Sequence, residues 1–321
     1  EIINADSVQI YRGFDIGASK PGPADFALVP HHLYSCVDPR ERFDAAAFSR
    51  AAERTIAEVC QRQHLPLIVG GTGFYIRALI SGLVPISDIS EDARKELAAR
   101  EEALNRAGVL DPGLYEWLTE IDAECAATLH PADIFRIRRA ILVRLSTGES
   151  IRRHQAAHRF GSEKYRALVI VLLPERAALY RTIDQRIEQM LSSGLVEEVE
   201  KLRQEYPLNS HPFGAIGYRH VSLFLDGLID YPQMVHLLKR DTRRFAKRQM
   251  TWWRNQPATA GWKILDRSKM GEGGVAHKPH QGEISGYLLG VIRSFLNHES
   301  VFDSGGVAVM PLEQISIECM A

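Results

Sequence analysis

The sequence predicts an α/β fold, a mostly parallel sheet flanked by helices with a helical block inserted between strands. Three observations carry this. Short apolar runs end in polar or glycine-rich residues: Ile2-Ile3 before Asp6-Ser7, residues 65–69 before Gly70-Gly71-Thr72-Gly73, and 168–173 before Pro174. Continuous apolar runs, without alternation, mark strands buried on both faces of a parallel sheet. Between the first two runs, Phe48, Ala52, Ile56 and Val59 recur at helical spacing, which gives a strand–helix–strand unit.

The remaining elements follow in order. The strand signal vanishes over 90–158. Residues 91–107 form a charged, alanine-rich helix, 114–118 and 123–129 short helical pieces, and 135–147 a basic helix stopped by Gly148, the residue that best ends a helix. The chain returns to the sheet near Ala167. Residues 177–206 read as one long helix, with Ile183, Ile187, Met190, Leu191, Leu195, Val199 and Leu202 three or four apart and Gly194 its weak point. Residues 231–253 form another, basic in its second half. Beyond Trp262 the pattern weakens: loops at 271–274 and 277–281, a helix at 287–296, no period at the end. The expected division is a core over 1–84 and 166–265, an insertion over 85–165, and a tail over 266–321 without an assigned role.

Composition excludes several classes. Of 321 residues, 45% are hydrophobic and 25% charged, which is globular and neither disordered nor collagenous. Four scattered cysteines without a Cys-x-x-Cys pair argue against a zinc site and a disulfide framework. No apolar run approaches the ~18–20 residues of a membrane span. The expectation is a soluble, cytoplasmic monomer. Net charge is −1, from 39 basic and 40 acidic residues, but it is segregated. From Phe135 to Arg159 seven arginines face Glu149 alone, and from Lys239 to Arg254 seven basic residues face Asp241 alone. Trp252 and Trp253 interleave with the second run. Two such stretches fit a phosphate-backbone footprint; the plainer reading is two solvated helix faces.

Smaller motifs point to chemistry. Asp6 stands where catalytic groups of parallel sheets gather, at a strand's carboxyl end; it could serve as a base or merely cap the next turn. Gly70-Gly71-Thr72-Gly73 joins a strand to a helix and could turn backbone N–H groups toward an anion, or be a tight turn. It is not a Walker A motif, because no Gly-Lys-Ser/Thr occurs in the chain. Lys20 is a loop cation that could meet a phosphate. Arg181 and Arg186 suit planar phosphate contacts, or pair with Asp184 and Glu188.

Together these segments resemble the bacterial tRNA dimethylallyltransferases (tRNA isopentenyltransferases). The resemblance rests on Ile3-Asn4-Ala5-Asp6-Ser7-Val8-Gln9-Ile10-Tyr11-Arg12-Gly13, Lys20-Pro21, Pro30-His31-His32-Leu33, Val69-Gly70-Gly71-Thr72-Gly73, Ile183-Asp184-Gln185-Arg186, Ile216-Gly217-Tyr218-Arg219 and Lys247-Arg248-Gln249-Met250-Thr251-Trp252-Trp253-Arg254. It implies a P-loop-kinase-like α/β core with a helical insertion that grips the anticodon arm, and transfer of a dimethylallyl group from dimethylallyl diphosphate to N6 of the adenosine at tRNA position 37, with Mg2+ assisting departure of the diphosphate. The anticodon stem-loop is the implied partner. Asp6, Thr72 and Arg186 are the implied catalytic residues, and Lys20, Gly70, Gly71, Thr72 and Arg186 hold the diphosphate. Asp6, Ser7, Val8, Gln9, Arg94, Phe135, Arg136, Ile137, Arg138, Arg139, Gly217, Tyr218, Arg219, Lys247, Arg248 and Gln249 hold the tRNA. The family's first strand and P-loop would fall before residue 1, with the lysine for the diphosphate and the hydroxyl for magnesium. The chain as numbered is therefore expected to be inactive alone, with an unpaired sheet edge at Ile2-Ile3. The rivals are a P-loop nucleotide kinase and a non-catalytic RNA-binding protein.

Overall fold

The computed structural model describes residues 1–84, 86, 89–158, 165, 167–256, 262–266, 292 and 307–310. The expected loops at 271–274 and 277–281 lie outside these residues, as do Arg159 and, apart from residue 292, the expected helix at 287–296. The described residues divide into two compact units, Glu1–Ile80 with Lys164–Ala321, and Ser81–Glu163.

The first unit begins with β1 (Ile2–Asn4), α1 (Pro23–Leu28), β2 (His31–His32), α2 (Ala45–Gln61), β3 (Leu67–Val69) and α3 (Gly73–Ser81). The α2 helix starts where Asp44 accepts hydrogen bonds from the Ala46 and Ala47 N–H groups, and it buries Phe48, Ala52, Ile56 and Val59. A capped start and an apolar stripe are what its sequence dictates.

The second unit holds α4 (Glu91–Arg106), α5 (Leu110–Ile121), α6 (Ala123–Ala126), α7 (Ile134–Thr147) and α8 (Ile151–His158). Ser90 caps α4, Asp133 caps α7, and Gly148 ends α7 with φ 72°. Leu97, Leu114, Leu118, Ile137, Ala140 and Ile141 form its own core.

The chain then adds β4 (Ala167–Leu173), α9 (Arg176–Ser192), α10 (Leu195–Glu205), α11 (Tyr218–Leu225), α12 (Tyr231–Arg254), β5 (Trp262–Asp266) and β6 (Val307–Met310). The long helix expected over 177–206 is two helices. Gly194 adopts φ 98°, a left-handed conformation that glycine tolerates and a helix interior does not. The α12 helix is opened by a capping box between Asp230 and Gln233, with a proline in its first turn.

The strands pair in the order β2-β1-β3-β6-β4-β5, every pair parallel. The expected open edge at Ile2-Ile3 is not found: β1 pairs with β2 on one side and β3 on the other. In the centre β6 lies between β3 and β4, with Met310 in register with Val69. Since all strands run one way, the segments after β1 and β3 emerge side by side at one edge. Behind them, Ile10, Tyr11, Phe14, Ile183, Ile187, Leu195, Val199, Tyr218 and Met234 are buried in one apolar cluster. No described helix is long and apolar enough to cross a membrane.

Candidate active site at the carboxyl edge of the sheet

Asp6 follows β1 directly. Its Oδ1 accepts the N–H groups of Val8 at 2.7 Å and Gln9 at 3.1 Å, so it does cap the turn. Among the described residues Oδ2 accepts no hydrogen bond, and it lies 3.9 Å from where a Cβ on Gly71 would stand. Burial raises the carboxyl pKa, against the lowering pull of the two N–H bonds and the Arg186 charge. Capping and catalysis thus divide between the two oxygens of one side chain.

Gln9 lies beside it and is 4% exposed. Its amide donates to the Ala18 and Ser19 carbonyls, each at 3.0 Å. Both amino hydrogens are engaged, which leaves Oε1 buried without a partner. A buried amide oxygen without a donor is costly and suits a ligand N–H.

The glycine turn after β3 has a different basis from the one expected. A Cβ on Gly70 would stand 2.3 Å from the Ala5 backbone, and one on Gly73 2.5 Å from the Trp252 ring. Close packing against β1 and α12 therefore requires these glycines. The Thr72 and Gly73 N–H groups donate to the Ala5 and Gly71 carbonyls, so neither faces an anion. Thr72 Oγ1 accepts the Ser7 N–H at 3.0 Å and donates to Ser7 Oγ at 3.4 Å. That second contact is long and weak, which leaves the hydroxyl hydrogen able to turn to a ligand.

Arg186 projects from α9, and its Nε is buried without a partner. The expected ion pairs with Asp184 and Glu188 do not form, because α12 takes both acids: Arg243 holds Asp184 at 2.7 Å and Lys239 holds Glu188 at 2.7 Å. Arg181 is exposed.

Other expected site residues are placed elsewhere. The Lys20 side chain is 6% exposed and donates to Tyr11 O, Asp15 Oδ1 and Ser35 Oγ. Those bonds use all three ammonium hydrogens, so Lys20 fastens its loop and is not a diphosphate ligand. Burial lowers its pKa, against the pull of Asp15. Tyr218 is wholly buried, and its hydroxyl donates to Glu198 Oε1 at 2.8 Å. Gly217 is buried too, and Ile137 lies in the core of the second unit. None of the three is available to RNA. Ser7 and Val8 are half-buried, and Val8 packs on the apolar cluster.

Arg94, Phe135, Arg136, Arg219, Lys247 and Arg248 are exposed, Phe135 to 83%. Arg138 is ion-paired with Glu101, and Arg139 is exposed. A groove on α12 is lined by Arg244, Lys247, Arg248, Thr251, Trp252, Asn255 and Gln256. Arg219, Arg240 and Arg244 all converge on Asp241, whose pKa is lowered to about 2, chiefly by Arg240. Lys239, Arg240, Arg243 and Arg244 are paired with acids, so the outward basic face narrows to Lys247 and Arg248.

Gln249 is expected among the tRNA contacts from its place in the basic run. It turns inward and donates to the Gly71 carbonyl at 3.0 Å, 178 residues away. No local signal could have revealed that contact, or the one between Trp252 and Gly73.

A half-buried carboxylate with one open oxygen, a buried amide oxygen without a donor and a guanidinium with an unpaired Nε, at the carboxyl edge of a parallel sheet, suit the class of a transfer site for an anionic donor and an amine acceptor. The comparisons agree with this class. The family described as IPP transferase matches residues 9–256. A tRNA dimethylallyltransferase of Geobacter sulfurreducens is 44% identical over 259 residues, covering 80% of this chain and 82% of that protein; one of Symbiobacterium thermophilum is 42% identical over 259 residues, covering 80% and 79%. The crystal structure of the full-length tRNA isopentenylpyrophosphate transferase of Bacillus halodurans matches with a TM-score of 0.60 at 34% identity, covering 93% of this chain and 91% of that one. A eukaryotic dimethylallyltransferase acting on tRNA shares the fold, with a TM-score of 0.71 at 21% identity, over 93% of this chain and 73% of that one. The chain belongs to the IPP transferase family, whose curated relatives are tRNA dimethylallyltransferases.

Proposed function

We propose that this chain transfers a dimethylallyl group from dimethylallyl diphosphate to N6 of an adenosine in tRNA, at position 37 beside the anticodon, in the cytoplasm. The observation that carries the reading is the open Oδ2 of the half-buried Asp6, next to the glycine turn. An exocyclic adenine amine is a weak nucleophile because its lone pair is delocalised into the ring. Asp6 Oδ2 accepts one amine hydrogen as the nitrogen bonds to the allylic carbon, while Gln9 Oε1 accepts the other. The carbon–oxygen bond to the diphosphate breaks, and the electron pair leaves with the diphosphate oxygen. Arg186 and the Thr72 hydroxyl donate to that developing charge. Phe135, Arg136 and Arg94 on the second unit, with Arg219, Lys247 and Arg248 on the first, serve as RNA contacts. The adenosine must leave its stack to reach a half-buried carboxylate.

The described residues contain no cluster of three or more metal-ligating side chains, so a magnesium ion here would take most of its ligands from the diphosphate and from water, as is usual for that ion, and would supply neutralisation of the leaving group. Each step above uses only the chain's own groups.

The test is nucleoside analysis of tRNA incubated with dimethylallyl diphosphate and the 321-residue chain, alone and preceded by the N-terminal segment of the Geobacter sulfurreducens relative. The expected product is N6-dimethylallyladenosine. Phosphorylation of a free nucleotide, or binding of tRNA with no transfer by either version, would return the question to the rival readings.

A further inference from the structure

Residues of α12 divide between an exposed groove and the glycine turn. Lys247, Arg248 and Thr251 line the groove, Gln249 packs onto the turn, and Trp252 touches both. A Cβ on Gly71 would stand 2.6 Å from Gln249 Nε2, so the two are in direct contact. The peptide between Gly71 and Thr72 is held at both ends: its carbonyl accepts from Gln249 Nε2 at 3.0 Å, and its N–H donates to Ala5 O at 3.2 Å. That peptide sets the direction of the Thr72 side chain. Gln249 Oε1 is buried and unpaired on the same face.

We infer that Gln249, although it sits within the basic run of α12, is a positioning residue for the diphosphate and not an RNA contact. This rests on the functional reading above. Gln249 fixes the plane of the Gly71–Thr72 peptide and so aims the Thr72 hydroxyl, while its free Oε1 is an acceptor that a water or a protonated diphosphate oxygen can fill. Its neighbours Lys247 and Arg248, which line the exposed groove of the same helix, serve the RNA.

The experiment compares three proteins, the parent, Gln249→Met and Lys247→Ala, in equilibrium binding of inorganic pyrophosphate and, separately, of tRNA at fixed salt. Methionine keeps the length of the side chain and removes its hydrogen bonds. Losing one such bond predicts about a fivefold weaker pyrophosphate affinity for Gln249→Met, with tRNA affinity unchanged. Lys247→Ala is expected to give the reverse. Thermal unfolding of each variant identifies any loss due to misfolding, and Gln249→Glu serves as the second variant. It removes the donor and adds a negative charge, so it weakens pyrophosphate binding further while leaving tRNA binding within the range of Gln249→Met. If Gln249→Met weakens tRNA binding and spares pyrophosphate, the inference is overturned and Gln249 returns to the RNA surface. Equal weakening of both ligands also overturns it. A parent that binds neither ligand refutes the functional reading itself, a result distinct from either.

Discussion

Arg186 keeps its Nε free for a ligand because the acids beside it on α9 are already held by Arg243 and Lys239 of α12. Arg186→Ala is expected to lower the rate of transfer by ~10²–10³, the usual cost of one donor at a developing charge, while tRNA binding holds; single-turnover kinetics beside tRNA titration checks this. Lys20 is the opposite case. Its three hydrogen bonds lie within the protein, so Lys20→Met should cost about 1–3 kcal/mol of stability in a denaturant titration and leave pyrophosphate affinity unchanged. The place of Asp6 at the carboxyl edge was legible in the sequence because a carboxylate at the end of a short apolar run has one natural place in a parallel sheet. Lys20 and Tyr218 were misread because their partners, a backbone carbonyl, Ser35 and Glu198, are brought to them only by tertiary folding.

The helical period of residues 231–253 identified α12, and its charge run suggested RNA. Period and charge do not say which cations face out. That is set by Asp184 and Glu188 on a neighbouring helix and by Asp241 within α12. Replacing Lys247 or Arg248 by alanine should therefore lower the salt dependence of tRNA binding by about one unit of slope per phosphate contact. Arg243→Ala should leave that slope unchanged and cost ~0.2–1 kcal/mol of stability, since its partner is half-exposed. Measuring binding across a salt series for all three separates RNA contacts from the ties between α9 and α12. The break at Gly194 was visible as a weakness, but a helix on either side of it reads as one continuous stripe until the glycine's positive φ is known.

At the scale of the molecule, the change from strand runs to helical runs disclosed a sheet with an inserted helical unit. Strand order was not legible, because three-residue strands carry no signal of their neighbours, and β5 and β6 follow a stretch where periodicity fades. Each unit has its own core. Ile137→Ala should thus destabilise the second unit by about 2–5 kcal/mol, seen as faster amide hydrogen exchange in α5 and α7, while pyrophosphate affinity in the first unit is retained. The central claim is that Asp6 accepts the proton as the prenyl group is transferred. Burial holds its pKa above the ordinary 3.8, and the group works only when ionised, so activity is lost as pH falls through that raised value. The most direct measurement is the single-turnover rate of dimethylallyl transfer to tRNA against pH, for the transferring protein and its Asp6→Asn variant, with both substrates saturating. The account predicts an acid limb in the parent with a midpoint above 3.8, and a variant slowed by ~10²–10⁴ with that limb gone. An Asp6→Asn variant with the parent's rate and the parent's pH profile would contradict it.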